Sequence, residues 1–266
     1  MVSPLKWWTQ FLARPNSDRS KTLGIAFLVA LVCGLAVSVT AVTLRPFIAA
    51  NVDAERQSLM AAMLADLPGI GDILAEAGGG GVEILLVDLR TGELATDIDA
   101  ATYDPIAAAS DPETSTQLSR AEDFAGLGRR ENVAPVYAVR RAGELALLVL
   151  PVRGTGYQST IKAYLALEGD LDTVAALTVY EQGETPGLGA NIADPAWQAQ
   201  WAGKQVARDG EVVIEVVIGD ASGPHEVAGI SGASVTGYAM TDLIQFWLGP
   251  AGYGLFLDRL RAGETP

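Results

Sequence analysis

The stretch TLGIAFLVALVCGLAVSVTAVTL, Thr22 to Leu44, is 23 residues without a charge. As a helix rising 1.5 Å per residue it would extend roughly 34 Å, enough to cross a bilayer with some tilt. A cleaved signal sequence would have a shorter apolar run ending at small residues. Here the run passes directly into Leu44-Arg45-Pro46-Phe47, so a retained span is the expectation. Lys6, Arg14, Arg19 and Lys21 precede it, and only Arg45 closely follows. That asymmetry places the N-terminus in the cytoplasm and residues 46–266 on the far side, in a bacterium the periplasm. The expected organisation is therefore a cytoplasmic segment 1–21, a transmembrane helix 22–44 and an extracytoplasmic domain 45–266.

Charge and rare residues narrow the chemistry of that domain. Residues 1–45 hold one acid, Asp18, so the acidic excess of the chain, −14 overall, lies entirely beyond residue 45. Such a surface repels phosphate backbones, and nucleic acid is not an expected partner. The one cysteine, Cys33, lies in the apolar stretch, which excludes an intramolecular disulfide and a Cys-rich metal site. With His225 as the one histidine, His-cluster zinc sites are excluded and a Ser-His-Asp triad is disfavoured. His225 itself reads as a surface histidine.

Beyond the span the pattern is mixed, an α+β domain. The spacing of Leu59, Met60, Met63 and Leu64 suits an amphipathic helix from Ala49 to about Leu67. Gly78 to Gly81 read as a connector, because no Gly-Lys-Ser/Thr follows to make a phosphate loop. Val82 to Leu89 reads as a strand with a turn at Thr91-Gly92. Residues 100–135 are polar, and Arg129-Arg130 reads as a solvated pair. Val136–Val139 and Glu144–Val152 predict a hairpin around Ala142-Gly143. Tyr164–Leu167 and Ala175–Tyr180 predict two more strands around Gly169-Asp170. Val212 to Ile218 reads as one further strand. Met240, Leu243, Ile244 and Trp247 sit at helical spacing within Thr236–Leu248.

Two segments carry chemistry. In Glu184-Thr185-Pro186-Gly187-Leu188-Gly189 a Pro-Gly turn and a second glycine can bring backbone N–H groups close to a ligand, although a surface turn has the same composition. In Gly229-Ile230-Ser231-Gly232-Ala233-Ser234-Val235-Thr236 small residues admit a bulky group, three hydroxyls follow in quick succession, and a helix begins. A helix N-terminus suits an anion. By local pattern alone a Ser/Thr helix cap explains these hydroxyls better than a binding site does.

The order of motifs alters that balance. The chain resembles the NqrC family, the FMN-bearing subunits of Na⁺-translocating NADH:quinone reductases, and more distantly the RnfG family. The resemblance runs through Leu44-Arg45-Pro46, Val87-Asp88-Leu89, Thr91-Gly92-Glu93, Asp111-Pro112 and Tyr164-Leu165-Ala166-Leu167-Glu168. It continues in Tyr180 to Gly189, Asp194 to Gln198, Gly203-Lys204, Ser231-Gly232-Ala233-Ser234, Phe246 to Gly249 and Gly252-Tyr253-Gly254.

It implies that a flavin transferase moves FMN from FAD onto the last hydroxyl of the Ser-Gly-Ala-Ser motif, giving a phosphoester on Ser234, with Thr236 as the fallback acceptor. Ser231, Gly232, Ala233, Val235 and Thr236 would frame the attachment, within a flavin region of about 150–250. Thr185, Gly187, Leu188 and Lys204 become candidate flavin contacts, Leu188 offering an apolar face. No catalytic side chain and no metal site are implied. The implied role is electron transfer in the inner membrane, beside other subunits that bind NADH and move sodium. Three departures stand out: Ala228 where the family has Asp, Gln158 where it has Trp, and Gln182 where it has His. An RnfG-type electron carrier and a flavin-free anchor are the alternatives.

Overall fold

The architecture comes from a computed structural model, which describes residues 13, 15, 18–66, 82–100, 102–141 and 143–264, without the side chains of residues 41, 45–66 and 82. Gly78 to Gly81, Ala142, Lys6 and Arg14 lie outside the described residues, as do the side chains of Leu59, Met60, Met63 and Leu64. The chain divides into two units, Met1–Gln57 and Ser58–Pro266.

Helix α1, Arg19–Asp66, makes up most of the first unit as far as Gln57, and it takes in the helix expected from Ala49. Its stretch Arg19–Leu44 is long and apolar enough to cross a membrane. Leu23, Phe27 and Val37 on this stretch are exposed.

The second unit is built on an antiparallel sheet. In chain order its elements begin with strands β1 (Val82–Asp88) and β2 (Glu93–Leu94), helix α2 (Pro105–Ser110), and strands β3 (Ser115–Gln117) and β4 (Arg129–Glu131). Strands β5 (Val133–Arg141), β6 (Glu144–Thr155), β7 (Thr160–Glu168) and β8 (Val174–Glu181) follow. A 3₁₀ turn, Gly189–Ala193, leads into the short helix α3 (Pro195–Gln198). Strands β9 (Ala207–Arg208), β10 (Glu211–Val212), β11 (Glu215–Val217) and β12 (Glu226–Ala228) precede helices α4 (Ser234–Leu248) and α5 (Gly254–Arg261). Six strands pair in the order β2-β1-β5-β6-β7-β8.

The alternation of strand side chains sorts the core onto two faces. Leu148, Leu150 and Val152 of β6 join Ile161, Ala163, Leu165 and Leu167 of β7 on the main face. Leu147 and Val149 join Tyr164 and Ala166 on the other. Helix α4 lies over the main face, burying Met240, Leu243, Ile244, Phe246 and Trp247. The Trp247 indole N–H donates to the Arg153 carbonyl at 2.6 Å, fixing the helix against β6. The β7–β8 turn is closed by Asp170, whose carboxylate accepts from the N–H groups of Asp172 and Thr173 and from the Thr173 hydroxyl.

Two expectations are corrected, the single strand Val212 to Ile218 and the solvated Arg130. Val212 to Ile218 is not one strand: β10 pairs with β9, and β11 pairs in parallel with β12. Between them the N–H groups of Val213 and Ile214 both donate to the Val206 carbonyl, at 2.9 and 3.2 Å, which turns the backbone out of any ladder. The polar stretch 100–135 holds α2 as well as the β3–β4 pair. Asp104 starts α2 by accepting from the N–H groups of Ile106 and Ala107, with Pro105 in the first turn, where its missing N–H costs nothing. Arg130 is buried rather than solvated; its guanidinium donates to the carbonyls of Ala251 and Glu131. Beside it Glu131 forms a buried ion pair with Arg153. Burial pushes the Glu131 carboxyl up, and the Arg153 guanidinium opposes that shift.

Candidate functional site

Polar side chains of α4 assemble the site. The Thr241 hydroxyl accepts from the Val216 N–H at 2.8 Å, and the Gln245 amide donates to the Ile214 carbonyl at 2.9 Å. These bonds hold α4 beside β11, and the parallel pairing of β11 with β12 brings residues 217–220 alongside 228–234. The result is a cleft of about 400 Å³ lined by Val216 to Asp220, Ala228 to Ser234, Gly237 and Tyr238. That volume lies within the range of roughly 300–1,000 Å³ usual for small-molecule sites. The Trp197 indole N–H donates to the Ala228 carbonyl at 2.9 Å and holds the cleft's β12 wall.

The second chemical segment meets the first at a carboxylate. Glu184 is 4% exposed. Its Oε1 accepts from the N–H groups of Gln158 (3.0 Å) and Ser159 (3.2 Å) and from the Ser159 hydroxyl (3.3 Å). Its Oε2 accepts from the Tyr157 N–H at 3.2 Å and from the Thr236 hydroxyl at 2.8 Å. Burial by itself raises the Glu184 carboxyl, but the donors from Gln158, Thr236, Ser159 and Tyr157 together bring it below the ordinary glutamate value. Close packing requires glycine here: a Cβ at Gly189 would lie 2.5 Å from Thr236 Oγ1. Gly232 has φ +77°, and a Cβ there would come within 3.0 Å of Leu188 Cδ2. The loop 184–189 and the segment 229–236 therefore pack together.

The expected site residues are distributed unevenly. Ser231, Gly232, Ala233 and Ser234 line the cleft. Ser234 is the first residue of α4, and its hydroxyl is exposed and makes no hydrogen bond among the described residues. The helix-cap explanation of these hydroxyls is overturned, since the N-cap is Ala233 and no side chain caps α4. Val235 is exposed one position on, outside the cleft lining. Thr236 is 3% exposed, with its hydroxyl committed to Glu184.

Thr185 and Gly187 shape the neighbouring loop. The Thr185 carbonyl accepts from the N–H groups of Leu188 and Ala190, and Gly187 has φ +73°. Leu188 does not line the cleft; its Cδ2 packs against Gly232, which does. Lys204 does not line the cleft; its ammonium donates to the Gly223 carbonyl at 3.2 Å and braces the loop between β11 and β12. His225 is buried rather than on the surface, with Nδ1 2.9 Å from the Gln205 carbonyl oxygen.

Of the departing positions, Ala228 lines the cleft, Gln182 accepts from the Glu184 N–H at 2.8 Å, and Gln158 lends Glu184 its N–H. Sequence reading missed Glu184 as a site residue, together with Ile218, Gly219, Asp220 and Tyr238 in the lining. Gly219-Asp220, directly after an apolar run, was a turn signal for the last group.

A cleft floored by small residues, opening beside an unengaged hydroxyl at a helix N-terminus, suits a ligand that combines a phosphate with a flat apolar body. The class is that of FMN-binding domains: residues 156–249 match the FMN-binding domain family, a span that holds the Glu184 donors, the loop 184–189 and α4. At full length the chain is 39% identical to NqrC of the Na⁺-translocating NADH-quinone reductase from Pseudomonas aeruginosa, covering 94% of this chain and 99% of that protein. It is 40% identical to NqrC from Vibrio alginolyticus, over 95% and 99% of the two chains. The chain belongs to the NqrC family. Among solved structures, Shewanella oneidensis NqrC superposes with a TM-score of 0.69 at 34% identity, covering 80% of this chain and 99% of that one. The Parabacteroides distasonis member gives 0.52 at 26% identity, over 69% and 82%.

Proposed function

We propose that this chain is the FMN-carrying electron-transfer subunit of a Na⁺-translocating NADH:quinone reductase, with the flavin held as a phosphoester on Ser234. The observation that carries the reading is the state of the Ser234 hydroxyl: exposed, without a partner among the described residues, at the N-terminus of α4 and on the wall of the cleft. In the transfer from FAD, Ser234 Oγ forms the new bond to the FMN phosphorus, the hydroxyl proton leaves, and AMP departs with the broken anhydride bond. The first N–H groups of a helix have no intrahelical acceptor, so α4 would hold the phosphate where Ser234 tethers it. Gly229 to Ala233 admit the group closely, and Glu184 fixes the turn through Thr236.

Bound there, FMN supplies the redox chemistry, while the chain positions it and sets its surroundings. The Ser234 phosphoester implies a flavin transferase as maturation partner. NADH oxidation and sodium movement belong to other members of the complex. The basic residues ahead of the span support an inner-membrane anchor with the flavin domain in the periplasm.

The test is flavin fluorescence in a denaturing gel after co-expression with the transferase. The native chain and Ser231→Ala should give a fluorescent band, and Ser234→Ala should give none. A band retained in Ser234→Ala would refute the assignment, and no band from the native chain beside an active control would refute the flavoprotein reading.

A further inference from the structure

The cleft lining holds one charged side chain, and a phosphate on Ser234 does not explain it. That side chain is Asp220, which shares the lining with Ala228 and with the run from Gly229 to Ser234. The fold puts it there through the parallel pair β11–β12, whose last register sets Val217 opposite Ala228. Just beyond, the Gly229 N–H donates to the Gly219 carbonyl at 3.2 Å, and Gly219, with φ +89°, turns the chain. The facing strand needs glycine as well, since a Cβ at Gly229 would collide with the Val217 carbonyl. Asp220, one residue past the turn, is thereby carried to the segment that leads into Ser234.

Its carboxylate is uncommitted. Asp220 is exposed and makes no hydrogen bond and no ion pair among the described residues. Two other acids close by in the fold are engaged. Glu226 Oε2 accepts from the Ser222 and Gly223 N–H groups and from the Ser222 hydroxyl, and Glu184 is buried among the donors described above. Neither lines the cleft. Ala228 stands where the family has Asp, so Asp220 is the one carboxylate in the lining.

We infer that Asp220 is a positioning carboxylate for flavinylation, the group by which a flavin transferase orients this chain for transfer to Ser234. The inference rests on the Ser234 attachment proposed above and names how that site is recognised. FAD carries its anhydride bond in an anionic diphosphate, and the part of the chain that accepts FMN holds the whole acidic excess. Two anionic partners approach only with cationic groups between them. The transferase therefore presents the diphosphate with positive charge around it, from metal ions or basic side chains. Asp220 pairs with that positive charge from the acceptor side. It takes no part in bond making: the Ser234 oxygen, the phosphorus and the departing AMP are as written above. A rim charge of this kind acts on encounter and orientation rather than on the chemical step, and salt screens it.

The experiment follows FMN incorporation into the full-length chain, expressed without transferase and purified in detergent, on adding purified transferase and FAD. Covalent flavin is read as fluorescence of the denatured protein. At low salt Asp220→Asn should lower kcat/KM for the protein substrate about five-fold, through KM and with kcat retained. Asp220→Glu should keep most of the native value. The deficit of Asp220→Asn should close between about 0.05 and 0.5 M salt, as screening removes the attraction from the native chain too. Ala228→Asp added to Asp220→Asn should restore most of the loss, because position 228 lines the same cleft. Glu211→Gln, an exposed acid of β10 outside the lining, should behave as the native chain does. An Asp220→Asn chain labelled at the native rate, a deficit that Ala228→Asp does not relieve, or an equal deficit in Glu211→Gln overturns the inference and leaves attachment at Ser234 intact. A native chain that takes up no FMN beside an active control overturns the attachment and this inference with it.

Discussion

Replacing Glu184 tests whether one carboxylate holds the site together. In Glu184→Ala the Thr236 hydroxyl, 3% exposed, is left without its acceptor, as are the N–H groups of Tyr157, Gln158 and Ser159. A buried donor stripped of its partner costs about 1–3 kcal/mol, and a hydrogen bond to a charged group is worth about 1.5–3 kcal/mol. The three N–H donors sit on an exposed to half-buried loop and regain water, so they contribute well below that ceiling. The expected loss is roughly 3–4 kcal/mol, or about 6–16 °C in Tm for a domain of this size.

Glu184→Gln keeps the volume and loses less. With its amide nitrogen in the place of Oε2 it donates to Thr236, whose hydroxyl turns to accept, and only the Tyr157 N–H lacks an acceptor, on an exposed loop that water reaches, so the loss is about 1 kcal/mol. The sign with pH follows from the lowered carboxyl. Its stabilisation is fully present above the unfolded glutamate value of about 4.3 and is lost as pH falls through the folded value. The gap between native and Glu184→Gln proteins should hold from pH 7 to 5 and narrow in more acidic buffer. Thermal unfolding of the full-length chain in detergent, monitored by near-UV circular dichroism across that range, is the assay. A Glu184→Ala protein that melts within a degree of native, or a gap that persists unchanged into acid, would refute the latch.

Other perturbations follow from the same contacts. Gly189→Ala sets a methyl 2.5 Å from Thr236 Oγ1 and 3.0 Å from Glu184 Cβ, so it should cost about 1–3 kcal/mol and lower gel-detected flavin at Ser234. Trp197→Phe removes the donor to the Ala228 carbonyl and should cost about 1 kcal/mol, read as a Tm drop of about 2–4 °C. Arg153→Met strands the buried Glu131 carboxylate and should cost about 3–5 kcal/mol near neutral pH, with a smaller loss in acid where Glu131 is protonated; adding Glu131→Gln should recover much of it in denaturant melts.

What was legible in the sequence was short-range. Strands β5 to β8 announce themselves through alternation that breaks at Gly143 and at Gly169-Asp170, features carried within a few residues. The long apolar helix near the N-terminus needs only composition. Val212 to Ile218 misleads because Val213 and Ile214 are as apolar as their neighbours, and the break comes from a carbonyl at Val206 that no local pattern reveals. Helix α5 carries a helical period, Tyr253, Phe256, Leu257 and Leu260, but over only eight residues and directly after the glycines at 249, 252 and 254, which read as a turn. The buried charges were illegible for the same reason at longer range: Arg130 is satisfied by the Ala251 carbonyl, 121 residues away. Glu184 gathers donors 25 to 27 residues before it and 52 after. Local composition alone pointed at Ser234 only as one hydroxyl among three, and the motif resemblance singled it out.

The fold then sorts those three hydroxyls by physics rather than by spacing. Thr236 faces inward, where its hydroxyl is the only side-chain donor from α4 to reach Glu184 among the described residues; an attack from that oxygen would require breaking a 2.8 Å bond to a carboxylate and exposing a buried turn. Ser231 lies in the cleft but before the helix, joined to it through the Ala233 N–H to Ile230 carbonyl turn at 3.0 Å. Ser234 is in the first turn itself, where a phosphate on its oxygen would meet the positive end of α4. The buried bond at Thr236 and the free hydroxyl at Ser234 are thus two sides of one arrangement. Glu184 draws the inner face of the turn toward the sheet, and the position two residues earlier is left pointing at solvent and at the cleft.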